Sequence, residues 1–597
     1  MNCKDNCRPD YLFNSRTESW TILRSGFYEY FSQLEIDTLS RSERTFQDKR
    51  RQVIFLSFEN KYAKLGGLAA VMGLLPSQLL NSGEKTILVT PFYKNNSRVK
   101  TALDEGAFET LFENEKLDIC NFKGVLSCYR DTTSVLPCYY IDVENYFTAV
   151  DDPYSYRDNE KLVLDALVFS AAVPVVLNRV GIKDSLIFHA HDWETAPIAI
   201  TSKMAVLSGV LDNARTVLTL HNSFDGAISA VHKKRFFGKE FPGHTILQCV
   251  MPLLNGPLTT VSAPFAYELK YDPLQRTVFT NHLQDYFSMN TPIGIENGMF
   301  GNPAHPFTSK AESNAVKGDF SLLLKEKNKF RNELEEIVQG EKNPEIIGKL
   351  DLSCADEDVP VFFMSGRLDL MQKGFDVIFQ AISRLPKGKI KLFFCPSCSD
   401  NGSRKELALF EKIQKKLEGD ITIWPFRVPT ENYRAILKGA SFLVMPSFYE
   451  PFGAATEGFL HGTPVLARAT GGLWVQVNPY NGIHVPRFYK SLFDFSGSID
   501  NATGILYREK CDEKTAGQGW VECLKLAPGD RIKNKFYRSM INAAEKSLIT
   551  ALDLYSDKES YGKMIYNGLK SLELFSWDQA IEKYRTIYDT ASSRGVF

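Results

Sequence analysis

Two cations stand close together in the segment SGRLDLMQKGFD, directly after an apolar run of the sequence. Arg367 offers a planar guanidinium fork, and Lys373 offers a compact point charge. In one loop after a strand, such a pair can clamp the two phosphates of a diphosphate. The alternative is that both are solvated surface charges, as most single cations are. The diphosphate clamp is therefore a hypothesis that needs support from other residues.

Carboxylates and a glycine turn follow a later apolar run, in FYEPFGAATEGFLHGTPVLARATGGL. Glu450 and Glu457 can each accept hydrogen bonds from two hydroxyl groups, which suits a hexose and a ribose. A glycine turn can supply further backbone N–H groups for an anion. Here that turn consists of Thr470, Gly471, Gly472 and Leu473. A sugar nucleotide is the ligand that would use all of these groups.

A second glycine turn, KLGGLAAV, lies between an apolar strand-like run and a helical stretch. Gly66 and Gly67, next to Lys64, would let backbone N–H groups approach an anion at a helix N-terminus. The alternative is a tight turn needed only for packing. The sequence contains neither G-x-G-x-x-G nor G-x-x-x-x-G-K-[ST], so the fingerprints of dinucleotide dehydrogenases and P-loop enzymes are missing.

Histidines gather at two predicted strand ends. The segments HAHDW and TLHN supply His189, His191, Asp192, His221 and Asn222. A metal site is the alternative, but no further carboxylate pattern accompanies these histidines, so sugar contacts are the preferred interpretation. The D-x-D at Asp356–Asp358 precedes its strand, which is the wrong end of a sheet for a metal-diphosphate role. We therefore predict no metal and no cofactor.

The elements that position these residues alternate between short β-branched runs and helix-period stretches, which is typical of βαβ units. In open α/β sheets, ligands bind at the carboxyl ends of the strands, where the motifs above lie. We predict an α/β protein with two Rossmann-like domains. The predicted divisions are an unassigned extension at 1–50, domains at 51–303 and 304–541, and C-terminal helices at 542–597.

Composition limits the partners. The 597 residues carry 70 Lys plus Arg and 71 Asp plus Glu, a net charge of -1, which favours no nucleic acid. The longest apolar stretch, 166–177, is too short for a membrane helix and contains Pro174. The first residues show no basic flank followed by an apolar run, so we expect no secretion signal, and 11 scattered cysteines fit reduced thiols. We expect a cytoplasmic protein without a membrane span.

Together and in this order, the motifs resemble the bacterial glycogen synthase and plant starch synthase family. KLGGLAAV is similar to the family's K-T-G-G-L-A-D-V, and the ending FSWDQAIEKYRTIY is similar to its S-W-x-x-x-A-x-x-Y. The resemblance runs from about Val53 to Tyr588. Further landmarks matched in order are HAHDW, TLHN, TTVSAPFAYEL, GIENG, GRL with QKGFD, EPFG and TGGL.

This resemblance implies a GT-B fold, in which two Rossmann-like domains face a cleft and the final helix crosses back to the first domain. It implies glucose transfer from a nucleotide sugar, usually ADP-glucose with UDP-glucose possible, to the non-reducing end of an α-1,4-glucan, with retention and without metal. Arg367 and Lys373 would hold the diphosphate. The resemblance also implies that Lys64, Gly66, Gly67 and Asn297 line the donor site. His191 would contact the transferred glucose, Glu450 would bind the sugar hydroxyls, and Glu457 would bind the ribose.

Three positions depart from the family pattern. Ala70 and Phe300 stand where the family has Asp, and Val475 stands where Asp follows the TGGL turn. Two alternatives to glucan synthesis therefore stay open. One is a related retaining transferase with another sugar or acceptor, and the other is a catalytically silent glucan-binding scaffold.

Overall fold

A computed structural model describes residues 13–150, 152–156, 158–300, 304–352, 358–398, 401–490 and 497–594. Residues 1–12 of the N-terminal extension and Asp356 of the D-x-D lie outside this part of the chain. The described residues form two compact units. Tyr271–Val278 and Gly298–Ser576 make the six-strand unit, and the remaining described residues make the nine-strand unit.

The nine-strand unit is built on a mixed sheet with the order β3-β4-β5-β2-β1-β6-β7-β8-β9. All ladders from β5 to β9 are parallel, whereas β3, β4 and β5 pair antiparallel. The strands are β1 Gln52–Leu56, β2 Thr86–Pro91, β3 Phe108–Ile119, β4 Phe122–Asp131, β5 Cys138–Val143, β6 Leu186–His191, β7 Ala214–Leu220, β8 Leu258–Thr260 and β9 Ile293–Gly294.

The six-strand unit is built on a wholly parallel sheet with the order β12-β11-β10-β13-β14-β15. The strands are β10 Val361–Arg367, β11 Lys391–Ser397, β12 Ile421–Ile423, β13 Phe442–Met445, β14 Val465–Arg468 and β15 Gly504–Tyr507.

The apolar runs become strands because helices cover both faces of a parallel sheet, so that almost every strand residue is removed from water. β2 and β6 are buried along their whole length, as are β12, β14 and β15. The division into two α/β sheets predicted from the sequence is confirmed.

Helices connect the strands in both units. The α-helices span Arg24–Tyr30, Gln33–Glu43, Gly67–Asn81, Ser97–Asp104, Asn159–Arg179, Ile198–Leu207, Ala230–Phe237, Ile246–Val250, Ala263–Tyr271, Gln284–Met289, Ser309–Val316, Ser321–Gly340, Phe375–Ile382, Asn401–Gln414, Thr430–Gly439, Ala455–Leu460, Leu473–Gln476, Ala516–Lys525, Lys535–Ser556, Lys558–Ser571 and Trp577–Ser593. Within the described ranges, none of them is long and apolar enough to cross a bilayer.

The final helix, Trp577–Ser593, packs in the nine-strand unit, whereas Lys535–Ser556 and Lys558–Ser571 belong to the six-strand unit. The hydroxyl of Tyr588 lies 2.9 Å from Nδ1 of His189 on β6. Arg215 on β7 donates to the carbonyl oxygen of Ala591 at 2.7 Å. The last helix is thus bonded to two central strands of this sheet.

Candidate active site

The carboxyl edge of the six-strand sheet brings Lys373 and Glu450 together. Lys373 follows β10, Glu450 follows β13, and the Lys373 ammonium donates to the Glu450 carboxylate at 2.7 Å. The same Glu450 oxygen accepts from the Ser447 hydroxyl at 2.8 Å. Because an ammonium has three donors, Lys373 retains donors for a second anion while it neutralises Glu450.

Arg367, the last residue of β10, lies in the same loop region. Its Nη2 donates to Gln372 at 2.9 Å and to Asp369 at 3.3 Å. Nε and Nη1 have no hydrogen-bond partner within the described chain, and the side chain is one-third exposed. A guanidinium with open N–H groups can still bind an oxyanion.

The TGGL turn lies directly against the loop that carries Glu450. Gly472 donates its N–H to the carbonyl oxygen of Glu450 at 3.0 Å. Gly471 has a φ of 49°, and a Cβ added there would lie 1.8 Å from that same oxygen. A Cβ added at Gly472 would lie 2.0 Å from the carbonyl oxygen of Phe452. Both glycines are therefore required by close backbone approach. Thr470 and Leu473, which flank them, are buried.

A buried ion pair under this loop was missed by the sequence reasoning. Arg468, the last residue of β14, binds Glu509 through Nε at 2.9 Å and Nη2 at 2.5 Å. Its Nη1 donates to the carbonyl oxygen of Phe448, just before Glu450. Burial opposes ionisation of Glu509, but Arg468 and Arg508 hold its pKa at about 2. The signal in the sequence was an arginine inside the apolar run of β14.

Glu457 lies on the following helix, Ala455–Leu460, and is half-buried. Burial raises the pKa of its carboxyl group, and its charge acts on the nearby Tyr433. Within the described part of the chain, its carboxylate makes no hydrogen bond to Arg367, Lys373 or Glu450. Its assignment to a ribose remains a prediction.

In the nine-strand unit, the ends of β6 and β7 bring His191 and His221 together. Nδ1 of His191 lies 2.8 Å from Nε2 of His221, and the His191 ring stacks on Phe55. Nε2 of His191 is buried and has no hydrogen-bond partner among the described residues. One ring must donate to the other, and this choice determines whether His191 Nε2 donates to a ligand or accepts from it.

Asp192 holds these two strand ends in place. Its φ of 61° turns the chain after β6, and its carboxylate accepts from the His221 N–H at 2.6 Å and from Asn222 Nδ2 at 3.0 Å. Burial raises the pKa of Asp192 to about 7. Burial also lowers the pKa of His189 and His221 to about 3, and that of His191 well below its usual value. All three imidazoles are therefore neutral near pH 7.

The glycine turn after β1 already holds a carboxylate from its own chain. One oxygen of Glu59 accepts from the N–H groups of Leu65 at 3.0 Å, Gly66 at 2.9 Å and Ala69 at 3.3 Å. Burial raises the pKa of Glu59, although these three N–H groups oppose the shift. The sequence reasoning expected open N–H groups here and missed Glu59. Lys64, Gly66 and Gly67 themselves are exposed.

Asn297 follows β9 in the same unit. It is buried, and its Oδ1 has no hydrogen-bond partner within the described ranges. Of the three positions that depart from the family pattern, Ala70 is exposed on the helix after the glycine turn. Phe300 packs against Phe452 in the six-strand unit, and Val475 is partly exposed after the TGGL turn.

The structure thus forms two groups of site residues. One group joins Lys373, Glu450 and the TGGL turn beside Arg367, and the other joins His191 to His221. These lie at carboxyl ends of parallel strands, where open α/β sheets bind ligands.

Comparison with known families identifies both units. The family described as "Starch synthase catalytic domain" matches residues 52–279, and the family "Glycosyl transferases group 1" matches residues 353–493. Granule-bound starch synthase 1 of Arabidopsis thaliana is 28% identical over 481 residues, covering 74% of this chain and 73% of that protein. A glycogen synthase of Koribacter versatilis is 26% identical over 568 residues, covering 89% and 96%.

A solved starch synthase structure shows the same similarity at the level of the fold. The solved catalytic domain of starch synthase IV from Arabidopsis thaliana, bound to ADP and acarbose, superposes with a TM-score of 0.66. Its sequence identity is 20%, and the alignment covers 91% of this chain and 99% of that chain.

The two parallel-sheet units and these matches define a glycosyltransferase of the GT-B fold, a hexosyltransferase by class. Within that class, the chain is a divergent member of the glycogen synthase and starch synthase family.

Proposed function

We propose that this enzyme transfers glucose from a nucleotide sugar, preferably ADP-glucose, to the non-reducing end of an α-1,4-glucan with retention of configuration. The observation that carries the proposal is the Lys373–Glu450 pair beside Arg367 at one sheet edge. Arg367 and Lys373 supply two cations that can bind a diphosphate, and Glu450 supplies a carboxylate that can bind sugar hydroxyls. The relatives named glycogen synthase support the glucan as acceptor.

The proposed chemistry depends on charge that develops on the leaving group. As the glycosidic bond breaks, the nucleoside diphosphate gains negative charge, which Arg367 and Lys373 stabilise because they are already positioned. Lys64, Gly66, Gly67 and Asn297 are proposed to line the donor site. In the six-strand unit, Glu457 would bind the ribose and the residues Thr470, Gly471, Gly472 and Leu473 would lie along the diphosphate.

His191 is proposed to contact the transferred glucose. Its Nε2 is buried and has no hydrogen-bond partner in the part of the chain that the structure describes. A sugar hydroxyl can act as donor or acceptor and so match either tautomer. For retention, we propose that the acceptor hydroxyl attacks from the face that the diphosphate leaves, and that the departing phosphate takes its proton.

A donor panel tests this proposal. Purified enzyme is incubated with glycogen and a panel of nucleotide sugars that includes ADP-glucose and UDP-glucose, and nucleotide release is compared with the sugar incorporated into the polymer. We expect equal amounts of both, with ADP-glucose preferred, and new α-1,4 linkages by NMR. Transfer of another sugar or to another acceptor would support the related-transferase alternative. No nucleotide release from any donor would leave the silent scaffold.

A further inference from the structure

The two loops that carry the proposed diphosphate clamp are joined through the backbone of one residue, Phe448. Its N–H donates to the carbonyl oxygen of Gln372 at 2.6 Å, in the loop after β10. Gln372 directly precedes Lys373, and its Oε1 accepts from Nη2 of Arg367 at 2.9 Å. Phe448 also lies two residues before Glu450, which accepts from Lys373. The position of the Phe448 backbone therefore affects both cations and their carboxylate partner.

Arg468, the last residue of β14, holds the other side of this backbone. It is 1% exposed, and its Nη1 donates to the carbonyl oxygen of Phe448 at 2.6 Å. Its Nε and Nη2 bind the two carboxylate oxygens of Glu509, which is also buried. A planar guanidinium presents its donors in a fixed fork. Because Glu509 fixes two of the three nitrogens, it also fixes the direction in which Nη1 meets the Phe448 carbonyl.

The ion pair belongs to a group of four buried charges that balance one another. Arg508 donates through Nη2 to Asp272 at 2.7 Å, and its Nε lies 3.5 Å from Glu509. Its Nη1 donates at 2.7 Å to the carbonyl oxygen of Ala469, just before the TGGL turn. Two arginines and two carboxylates sum to zero. Arg468 and Glu509 can therefore be removed together without leaving a net buried charge.

Stability alone does not explain a buried ion pair at this place. Well-packed apolar residues of similar volume often stabilise a fold as well as a buried pair does, or better. What apolar residues cannot supply is a directed hydrogen bond to the Phe448 carbonyl. The pair lies at the carboxyl ends of β14 and β15, the edge of the sheet that also carries Arg367 and Lys373.

We infer that Arg468 is a positioning residue of the proposed diphosphate clamp. Since it is 1% exposed, it acts through the Phe448 backbone and not by contact with the donor. The inference rests on the proposed function, because it assigns Arg468 to the site where the donor diphosphate would bind. Charge stabilisation of a leaving group requires donors that are already aligned, and a displacement of about 1 Å can cost about 10²-fold in rate.

A double substitution separates positioning from stability. Arg468→Met/Glu509→Met removes the ion pair and the bond to Phe448 but keeps the charge balance. Urea denaturation should show a fold at least as stable as the wild type. In calorimetric titration, ADP should bind at least about tenfold more weakly, as for loss of the outer partners that orient metal ligands. At saturating ADP-glucose, kcat should also fall at least about tenfold, because the leaving diphosphate gains its charge in the transition state.

A second buried ion pair of the same unit is the matched control. The charged atoms of Lys391 and Asp420 lie 2.8 Å apart at the amino ends of β11 and β12. Lys391→Met/Asp420→Met should leave ADP affinity and kcat unchanged in the folded protein. Arg468→Lys keeps a charge beside Glu509 but lacks the planar fork, so it should also weaken ADP binding. This variant keeps the test valid if the double variant does not fold.

The outcomes distinguish this inference from the proposed function. Wild-type ADP affinity in a folded Arg468 variant, or an equal loss in the Lys391/Asp420 control, would overturn the positioning role. A wild type that binds ADP but releases no nucleotide from any donor would overturn glucan synthesis, and the ADP titrations would still decide the role of Arg468. A wild type without affinity for ADP would overturn both.

Discussion

His191 illustrates how burial prepares a polar residue for a neutral role. Surrounded by Phe55, His189 and His221, its imidazole has lost the hydration that would stabilise a positive charge. A neutral ring can donate from one nitrogen and accept at the other, which suits a sugar hydroxyl better than an imidazolium would. We therefore propose that His191 positions a hydroxyl and does not transfer a proton near pH 7.

The charge state of these histidines can be measured. We expect the ring signals of His189 and His221 to show no titration between pH 5.5 and 8, because burial holds both pKa values at about 3. Histidine-selective NMR would follow the rings, with His189→Gln and His221→Gln used for assignment. Titration of His221 near pH 6.5 would contradict the buried neutral pair.

The two cations at the carboxyl edge of the six-strand sheet give a second prediction about single residues. Arg367→Ala and Lys373→Ala should each lower turnover by at least about 10²-fold, because each removes charge stabilisation of the leaving diphosphate. Lys389→Ala, which changes an exposed lysine before β11, should leave turnover unchanged. Nucleotide release measured at saturating donor would separate these outcomes. Near-normal turnover in both clamp variants would reject the assignment.

The TGGL turn and the loop after β13 pack against each other through close backbone contacts. Gly471→Ala would place a methyl group against the carbonyl oxygen of Glu450 in a left-handed backbone conformation. We expect a loss of free energy of unfolding at least about 2 kcal/mol larger than that of Gly388→Ala. Gly388 is the matched control, since its φ is also positive but nothing lies within 4 Å of an added Cβ. Urea denaturation of both variants would measure this difference, and equal losses would contradict it.

The helix Asn159–Arg179 contains a buried acid that makes stability depend on pH. Burial raises the pKa of Asp165 to about 6, with Tyr156 and the Phe147 N–H opposing the shift. The folded state therefore holds this proton more tightly than the unfolded state, so its stabilisation is complete below about pH 4 and is lost as pH rises through 6.

Asp165→Asn imitates the protonated form and should remove this dependence. Between pH 4.5 and 7, the wild-type free energy of unfolding should fall by about 2 kcal/mol relative to the variant. Chemical denaturation at both pH values measures the difference. A parallel change in both proteins would show that Asp165 is ionised in the fold.

Secondary-structure elements could be predicted best where a single feature of the sequence was enough to identify them. Apolar runs identified the parallel strands, because strands buried on both faces need few polar residues. β3 was missed because FETLFENEKLDI is mostly polar, and half of its residues are exposed. The helix Gln33–Glu43 was also missed, although its start carries a capping box formed by Ser32 and Glu35. β9 has only two residues, which is too few to show a period.

In the whole molecule, the candidate site residues meet through contacts between segments that are far apart in the sequence. The order of the motifs along the chain could not reveal these contacts. Spacing alone placed Arg367 and Lys373 in one loop, but not the bond from Lys373 to Glu450, which lies 77 residues away. Similarly, HAHDW and TLHN are separate motifs until β6 and β7 pair and bring His191 against His221. Glu59 was missed because a carboxylate that binds backbone N–H groups in its own loop has no distinctive spacing.

Arg367 and Lys373 are proposed to hold the diphosphate of the donor, and calorimetric titration with ADP tests this assignment most directly. We predict that wild-type enzyme and His191→Ala bind ADP with similar affinity, whereas Arg367→Ala and Lys373→Ala each lose at least about tenfold. Only His191→Ala should combine normal ADP binding with impaired transfer. Equal ADP affinity in the wild type and both clamp variants would contradict the account.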